Sequence, residues 1–121
     1  GIKINKLLNK PAQNIFDKVI IDAPCSGSGS WRRSPQGKWD LSLDKLSRYI
    51  DIQKRLILDG FKLLKPGGQV IYITCSVLDI ENEKVIDELI LAEGTFYEEK
   101  IFNLLPTIQN DGFFAAILRK K

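Results

Sequence analysis

The fold class is decided by the segment F-D-K-V-I-I-D-A-P, residues 16–24. Its centre, Val19 to Ile21, is an unbroken run of branched apolar residues, which is typical of a strand covered on both faces. The run stops at Pro24, which has no N–H group to donate to a neighbouring strand. The segment therefore predicts a buried strand of a parallel sheet.

Helical and strand patterns alternate after this segment. Apolar residues recur at helical spacing from about Asp44 to Leu64, with Ser42 as the expected N-cap and Pro66 to Gly68 as a stop. Gln69 to Thr74 is a second buried-type strand, and a helix with an acidic first turn is predicted from about Glu81 to Ala92. This alternation predicts βαβ units and a parallel sheet.

Two further strands are predicted near the C-terminus, at Thr95 to Phe102 and Phe113 to Leu118. The connection between them, Pro106 to Gly112, is rich in turn residues and predicts an antiparallel return. Ile2 to Ile4 could form one more short strand. So few strands would leave a wide apolar edge unless the sheet pairs with a copy of itself or with a missing N-terminal half.

The composition limits the possible chemistry. The 121 residues are 44% hydrophobic and carry a net charge of +3, which suits one modest domain and permits an anionic partner without requiring one. The chain has 2 cysteines and no histidine, so a structural metal site is disfavoured and the usual general base is absent. With no apolar run long enough to cross a membrane and no signal peptide, a reducing, cytoplasmic location is expected.

The first chemically informative stretch is D-A-P-C-S-G-S-G-S, residues 22–30, directly after the first strand. Ligands bind at this end of the strands in α/β sheets. A carboxylate, a proline, a thiol and two glycines in this stretch permit close approach of a planar ligand and place Cys25 outside the core. The alternative is an ordinary glycine- and serine-rich turn.

The second stretch is Y-I-T-C-S, residues 72–76, at the carboxyl end of the next predicted strand. A single cysteine at such a position is often only a buried residue. Because Cys25 and Cys75 both follow strands of one sheet, however, the two thiols are predicted to face the same crevice.

Taken together, the motifs resemble the Sun/Fmu family of RNA 5-methylcytosine methyltransferases over about Phe16 to Lys121. The combination of both cysteine motifs is more diagnostic than either alone. The matching motifs are D-A-P-C-S-G-S-G, R-R-S-P, K-W, L-K-P-G-G-Q-V-I-Y-I-T-C-S, E-N-E and D-G-F-F-A-A.

The resemblance implies an α/β fold, the C-terminal half of a Rossmann-like class I S-adenosylmethionine-dependent methyltransferase, with a mostly parallel sheet and a final antiparallel strand. The family's glycine-rich cofactor loop and its ribose-binding acidic residue have no counterpart in this sequence. Residues 1–121 are therefore expected to form a partial catalytic domain. Its binding of S-adenosylmethionine in isolation is expected to be weak or absent.

Residue roles follow from the resemblance. It implies that Cys75 is the nucleophile that adds to carbon six of cytosine, and that Cys25 assists breakdown of the covalent adduct. The attack at carbon six makes carbon five nucleophilic enough to accept a methyl group. Asp22 and Pro24 match positions at the cofactor site, although an Asp at a strand end could instead cap the following loop.

The substrate implied by the resemblance is RNA, with ribosomal RNA expected. Arg32, Arg33 and Lys38 alternate with Trp31 and Trp39, a pattern that suits binding of phosphates and stacking on an unpaired base. A solvated loop with two anchoring tryptophans is the alternative.

Two acidic residues near the second helix, Glu81 and Glu83, are interpreted as partners of its N-terminal dipole rather than as catalytic acids.

The competing hypothesis for the whole chain is a non-catalytic module for RNA binding or assembly that works without a cofactor. Both hypotheses keep the crevice and the basic loop, and they differ in whether a cofactor binds and the thiols react.

Overall fold

A computed structural model describes residues 13–121, and the predicted strand at Ile2 to Ile4 lies outside that range. None of the helices in the described range is long and apolar enough to span a membrane. Two short 3-10 turns, Ser28–Ser30 and Asp79–Glu81, accompany the regular elements. These elements are β1 Phe16–Asp22, α1 Gln36–Asp40, α2 Leu43–Leu63, β2 Leu64–Thr74, α3 Glu83–Glu93, β3 Phe96–Leu104 and β4 Phe113–Lys120.

The four strands form one mixed sheet in the order β1-β2-β4-β3. Strand β1 is parallel to β2, whereas β4 is antiparallel to both β2 and β3. The predicted α/β class is confirmed, as is the antiparallel return formed by the last two strands. The parallel β1–β2 pair places the carboxyl ends of both strands at the same edge of the sheet.

Helix α2 begins and ends within one residue of the prediction, and the Ser42 side chain accepts a hydrogen bond from the Lys45 N–H, as expected of an N-cap.

The predicted start of β2 at Gln69 is wrong. The strand begins at Leu64 and runs through the Pro-Gly-Gly segment, where Gly67 takes a left-handed φ of 81°. The register against β1 shifts at this point, so the segment is an irregularity within the strand rather than a separate loop.

The core lies on the face of the sheet that helix α2 covers. Alternate residues of β1 and β2, including Val19, Ile21 and Val70, point toward this helix and are buried. The rings of Phe61 and Phe96 stack with their centroids 4.1 Å apart, which joins α2 to the start of β3. The core therefore holds β1 and β2 rigidly beneath the loops that follow them.

The residues that the structure describes cover the opposite face of the sheet less completely. Ile20, Ile71 and Ile117 are register neighbours on this face, and Ile20 is 65% exposed. The feature anticipated from the small number of strands is a different one, an exposed apolar edge of the sheet. The expectation that a copy of the chain or an N-terminal half covers it stays a prediction.

The Lys120 ammonium joins the last strand to the end of α2. Its Nζ donates to the carbonyls of Phe61 and Leu64 at 2.9 and 2.8 Å and to Asn14 Oδ1 at 3.0 Å. A cation here satisfies carbonyls at the negative end of the helix dipole.

We expect Lys120→Met to lower the free energy of unfolding by about 2 kcal/mol, measured by urea denaturation. Lys121→Met, at the exposed neighbouring position, is the control, and an equal loss in both variants would contradict this role.

Candidate active site

The two cysteines lie in neighbouring loops at the carboxyl edge of the parallel strand pair. Asp22 of β1 pairs with Ile73 of β2, and the Ala23 N–H donates to the Ile73 carbonyl at 2.9 Å just beyond the last pair. Cys25 and Cys75 each follow within a few residues. Cys25 is half-buried and Cys75 is exposed, and both are free thiols. Strand geometry thus brings both predicted thiol positions to one edge.

Backbone contacts hold the thiol loops together. The Gly29 N–H donates to the Cys75 carbonyl at 2.8 Å, and the Gly112 N–H donates to the Gly29 carbonyl at 2.9 Å. The Ser28 hydroxyl accepts from the Val77 N–H at 2.8 Å. A Cβ at Gly29 would collide with the Gly112 carbonyl and lie 2.7 Å from the Cys75 carbonyl oxygen. Only glycine fits this crossing of three segments.

The environment of Cys25 favours its protonated form. Burial raises the pKa of the Cys25 thiol to about 11, although hydrogen bonds from the backbone N–H groups of Gly27 and Cys75 oppose the shift. At neutral pH the thiolate is then about one part in ten thousand. Cys25 is therefore poorly suited to be a resting thiolate nucleophile.

The carboxylate between the two loops belongs to Glu81, which is fully buried. It accepts hydrogen bonds from the Ser26 N–H at 2.8 Å, from the Ser26 hydroxyl at 2.7 Å and from the Ser76 hydroxyl. The interpretation of Glu81 as a helix dipole partner is wrong, because Glu81 ends a 3-10 turn before α3 and points toward the thiol loops. Glu83 does lie in the first turn of α3, where it accepts from Asn103.

Three more buried hydrogen bonds fix the end of β2 to the segment that carries this carboxylate. The Tyr72 hydroxyl donates to the Glu81 carbonyl at 2.8 Å, and the Thr74 hydroxyl donates to Asn82 Oδ1 at 2.6 Å. Asn82 Nδ2 donates to the Ser76 carbonyl at 2.9 Å. Burial, followed by the charge of Glu81, raises the pKa of the Tyr72 hydroxyl, so this residue stays neutral and serves as a donor.

Asp22 and Pro24 lie exposed beside the thiol loops. The Asp22 carboxylate makes no side-chain hydrogen bond to any residue of 13–121, so its oxygens can accept from a ligand hydroxyl or amine. Gln53 Nε2 donates to the Pro24 carbonyl at 2.9 Å and fixes the loop from below. These residues fit one wall of a cofactor site. Within the described chain no group of three or more His, Cys, Asp or Glu side chains could hold a metal ion.

The predicted basic residues divide into two sets. Arg32 and Arg33 both bind Asp111, with Arg33 Nε donating to its two oxygens at 3.0 and 2.9 Å. The hydrogen bond from Arg33 is the main reason that the pKa of Asp111 is lowered. Lys38 lies apart from this cluster, with its Nζ 6.0 Å from the ring centroid of Trp39, which is 77% exposed. Sequence reasoning did not foresee Asp111 as the partner of both arginines.

The comparison with protein families decides which family the chain belongs to. Residues 2–119 match the family model described as 16S rRNA methyltransferase RsmB/F. The chain belongs to the RsmB/F family. The resemblance drawn from the two cysteine motifs is thereby confirmed at the level of the family.

Curated relatives of this RsmB/F chain act on more than one class of RNA by name. The tRNA (cytosine(49)-C(5))-methyltransferase of Pyrococcus abyssi is 45% identical over 78 residues, covering 64% of this chain and 25% of that protein. Ribosomal RNA small subunit methyltransferase F of Pectobacterium atrosepticum is 36% identical over 123 residues, covering 87% of this chain and 25% of that protein. The chain thus spans about a quarter of the length of these relatives.

Solved structures carry the same fold as this RsmB/F chain. The crystal structure of PH0851 superposes with a TM-score of 0.82 at 32% identity, covering 89% of this chain and 27% of that one. NSun6 from Pyrococcus horikoshii, solved with SFG, superposes with a TM-score of 0.78 at 25% identity, covering 98% of this chain and 33% of that one. The mixed α/β arrangement is therefore that of methyltransferase relatives.

Proposed function

We propose that the chain is the cysteine-bearing part of an S-adenosylmethionine-dependent RNA cytosine-5 methyltransferase. The observation that carries the proposal is the placement of two free thiols in adjacent loops at the ligand-binding edge of the sheet. Membership of the RsmB/F family and the names of the relatives support the same chemistry.

Different roles for the two thiols suit their environments. Cys75 is exposed, and in our proposal its thiolate adds to carbon six of cytosine, which moves an electron pair toward carbon five. After methyl transfer, carbon five gives up its proton to water, and the electron pair of that bond re-forms the double bond between carbons five and six. The bond between carbon six and Cys75 breaks at the same time and returns its electron pair to the sulfur. Cys25, whose high pKa keeps it a thiol at rest, assists this release rather than the attack.

S-adenosylmethionine, when bound, supplies the methyl group. We place it against Asp22 and Pro24, because the Asp22 carboxylate is exposed with acceptor oxygens available at the mouth of the crevice. The neighbour solved with SFG supports a cofactor of this class.

The RNA is proposed to cross the surface formed by Arg32, Arg33 and Lys38. Arg33 keeps 60% of its side chain exposed while paired with Asp111, so a phosphate can approach the guanidinium from solvent. Trp39 offers an exposed ring for base stacking. Ribosomal RNA is the first candidate, from the family description, and transfer RNA the second, from the Pyrococcus abyssi relative. The cytoplasmic location stays a prediction.

The decisive experiment is a chimera in which this chain replaces the matching quarter of the Pectobacterium atrosepticum relative. We expect the purified chimera to transfer a radiolabelled methyl group from S-adenosylmethionine to cytosine in ribosomal RNA. The unmodified relative is the control for assay conditions. Transfer RNA is tested in parallel, because methylation of that RNA alone would support the chemistry and reject the ribosomal substrate.

The competing module for RNA binding or assembly predicts a different result in the same experiment. A folded chimera that binds RNA, yet neither binds S-adenosylmethionine nor transfers a methyl group, would reject the enzyme and favour that module. The exposed Trp39 beside Lys38 supports this second candidate, because stacking and charge suffice for RNA binding without thiol chemistry.

The 121-residue chain by itself is expected to bind S-adenosylmethionine weakly or not at all. Asp22 and Pro24 provide only one side of the site, so few of the contacts that a bound cofactor needs are present. Isothermal titration calorimetry with the isolated chain measures this directly, with the chimera as the positive control. A micromolar dissociation constant for the isolated chain would contradict the prediction.

A further inference from the structure

Each active-site cysteine is followed by a serine, and both serines bind one buried carboxylate. Ser26 follows Cys25 and donates its N–H and its hydroxyl to Glu81, while Ser76 follows Cys75 and donates its hydroxyl to the same group. The two serine hydroxyl groups bind the same oxygen, Oε2 of Glu81. A single atom therefore connects the loops that carry the two thiols.

A second path closes the connection into a ring. The Ser28 and Ser76 hydroxyls are 3.1 Å apart, and the Ser28 N–H donates to Ser26 Oγ at 3.3 Å. Gln53 Nε2 lies 3.4 Å from the other oxygen of Glu81. Every partner of the carboxylate is a neutral donor, and a buried carboxylate needs several such donors to offset its desolvation.

We infer that Glu81 is a positioning residue that fixes the Cys25 and Cys75 loops relative to one another through Ser26 and Ser76. The inference rests on the proposed function, because it gives the distance between the thiols a catalytic meaning. Attack at carbon six and release of the product need both thiols correctly placed around one base. Displacements of about 1 Å at such sites reduce turnover by up to about a hundredfold.

The charge of Glu81 also acts on Cys25. After burial, which is the largest cause, the negative carboxylate contributes to the high pKa of this thiol, and so does Cys75. Together with Tyr72, these are the titratable groups that interact electrostatically with Cys25 in the described chain. Removing the charge of Glu81 while keeping its shape should therefore make Cys25 easier to ionise. The same change at a residue with only a structural role would not affect the ionisation of Cys25.

The test compares Glu81→Gln with Glu83→Gln, a matched loss of charge two residues along the chain, on the side that faces Asn103. In the chimera, Glu81→Gln is expected to lower kcat for RNA methylation about tenfold or more while the KM values change little. In the 121-residue chain, we expect it to lower the pH midpoint for alkylation of Cys25, followed by peptide mass spectrometry. Glu83→Gln should change neither.

Two milder variants keep the inference testable if Glu81→Gln does not fold. Ser26→Ala and Ser76→Ala each remove one hydroxyl from the carboxylate, and each should lower kcat while the other connection persists. Where Glu81→Gln does fold, adding Ser26→Ala to it should lower kcat by less than Ser26→Ala does in the parent, because an amide holds the Ser26 hydroxyl less tightly than a carboxylate does.

The inference is overturned if Glu81→Gln keeps kcat within twofold of the parent, if Glu83→Gln lowers kcat equally, or if the Cys25 midpoint does not move. Unchanged kcat in both serine variants would overturn it as well. A parent chimera without methylation activity would instead reject the proposed function, while the alkylation measurement on the 121-residue chain would still report whether Glu81 acts on Cys25. The two failures are therefore distinguishable.

Discussion

We expect Cys75→Ala to abolish RNA methylation in the chimera, a fall of about a thousandfold or more, and to leave no covalent protein–RNA adduct. Without the exposed thiol, nothing can add to carbon six. Cys25→Ala should behave differently, because attack and methyl transfer remain possible while release is slowed. That variant should accumulate a protein–RNA complex that survives denaturing electrophoresis.

The pair of variants is its own control, since each retains one thiol. If the denaturant-resistant complex forms with Cys75→Ala instead, Cys25 is the nucleophile and the roles are reversed. Full methylation by both variants, with no trapped complex, would reduce the cysteines to packing residues and reject the mechanism. The raised pKa of Cys25 argues for Cys75 as the nucleophile, because the Cys25 thiol is mostly protonated at neutral pH.

The second large effect is expected at Gly29, where the two thiol loops and the Gly112 segment cross. Gly29→Ala should lower the free energy of unfolding by about 3 kcal/mol or more. The added methyl group would overlap backbone carbonyls of Gly112 and Cys75, which no side-chain rotation can relieve. Urea denaturation followed by tryptophan fluorescence measures the loss, since Trp31 lies two residues away and is half-buried.

Gly67→Ala separates this steric effect from the general consequences of replacing glycine. A Cβ at Gly67 meets nothing within 4 Å, although its φ of 81° is unfavourable for alanine. We expect a loss of roughly 1 kcal/mol there, from backbone conformation alone. Equal losses at Gly29 and Gly67 would show that the crossing of the loops tolerates a side chain.

Short sequence patterns predicted helices and strands correctly where side chains close in sequence determine the structure. The branched run at Val19 to Ile21 forms the predicted strand, and Ser42 caps α2 as predicted. The expected burial of both faces of the strand is wrong, because within the described residues Ile20 is 65% exposed. The Pro66 to Gly68 segment was misinterpreted because proline and glycine usually interrupt structure. Here β2 begins immediately after α2, and the left-handed φ of Gly67 is absorbed as an irregularity in the strand.

The candidate site was predictable only in part. The proximity of Cys25 and Cys75 follows from a rule about strand ends that needs no side-chain detail. The role of Glu81 did not follow, because helical periodicity was extended back through residues that are not helical. Asn82 has φ −115° and ψ −101°, which separates Glu81 from α3 and turns its carboxylate toward the serines. Asp111 was missed for a similar reason, since it lies on an irregular connection.

The strand order β1-β2-β4-β3 has a consequence for synthesis on the ribosome. Strand β4 lies between β2 and β3 in the sheet, although it is synthesised after both of them. A nascent chain that has emerged only as far as β3 therefore holds a strand with both edges unsatisfied. The sheet can be completed only after translation has passed Lys120, and until then the edges of β2 and β3 that pair with β4 are open to wrong pairing.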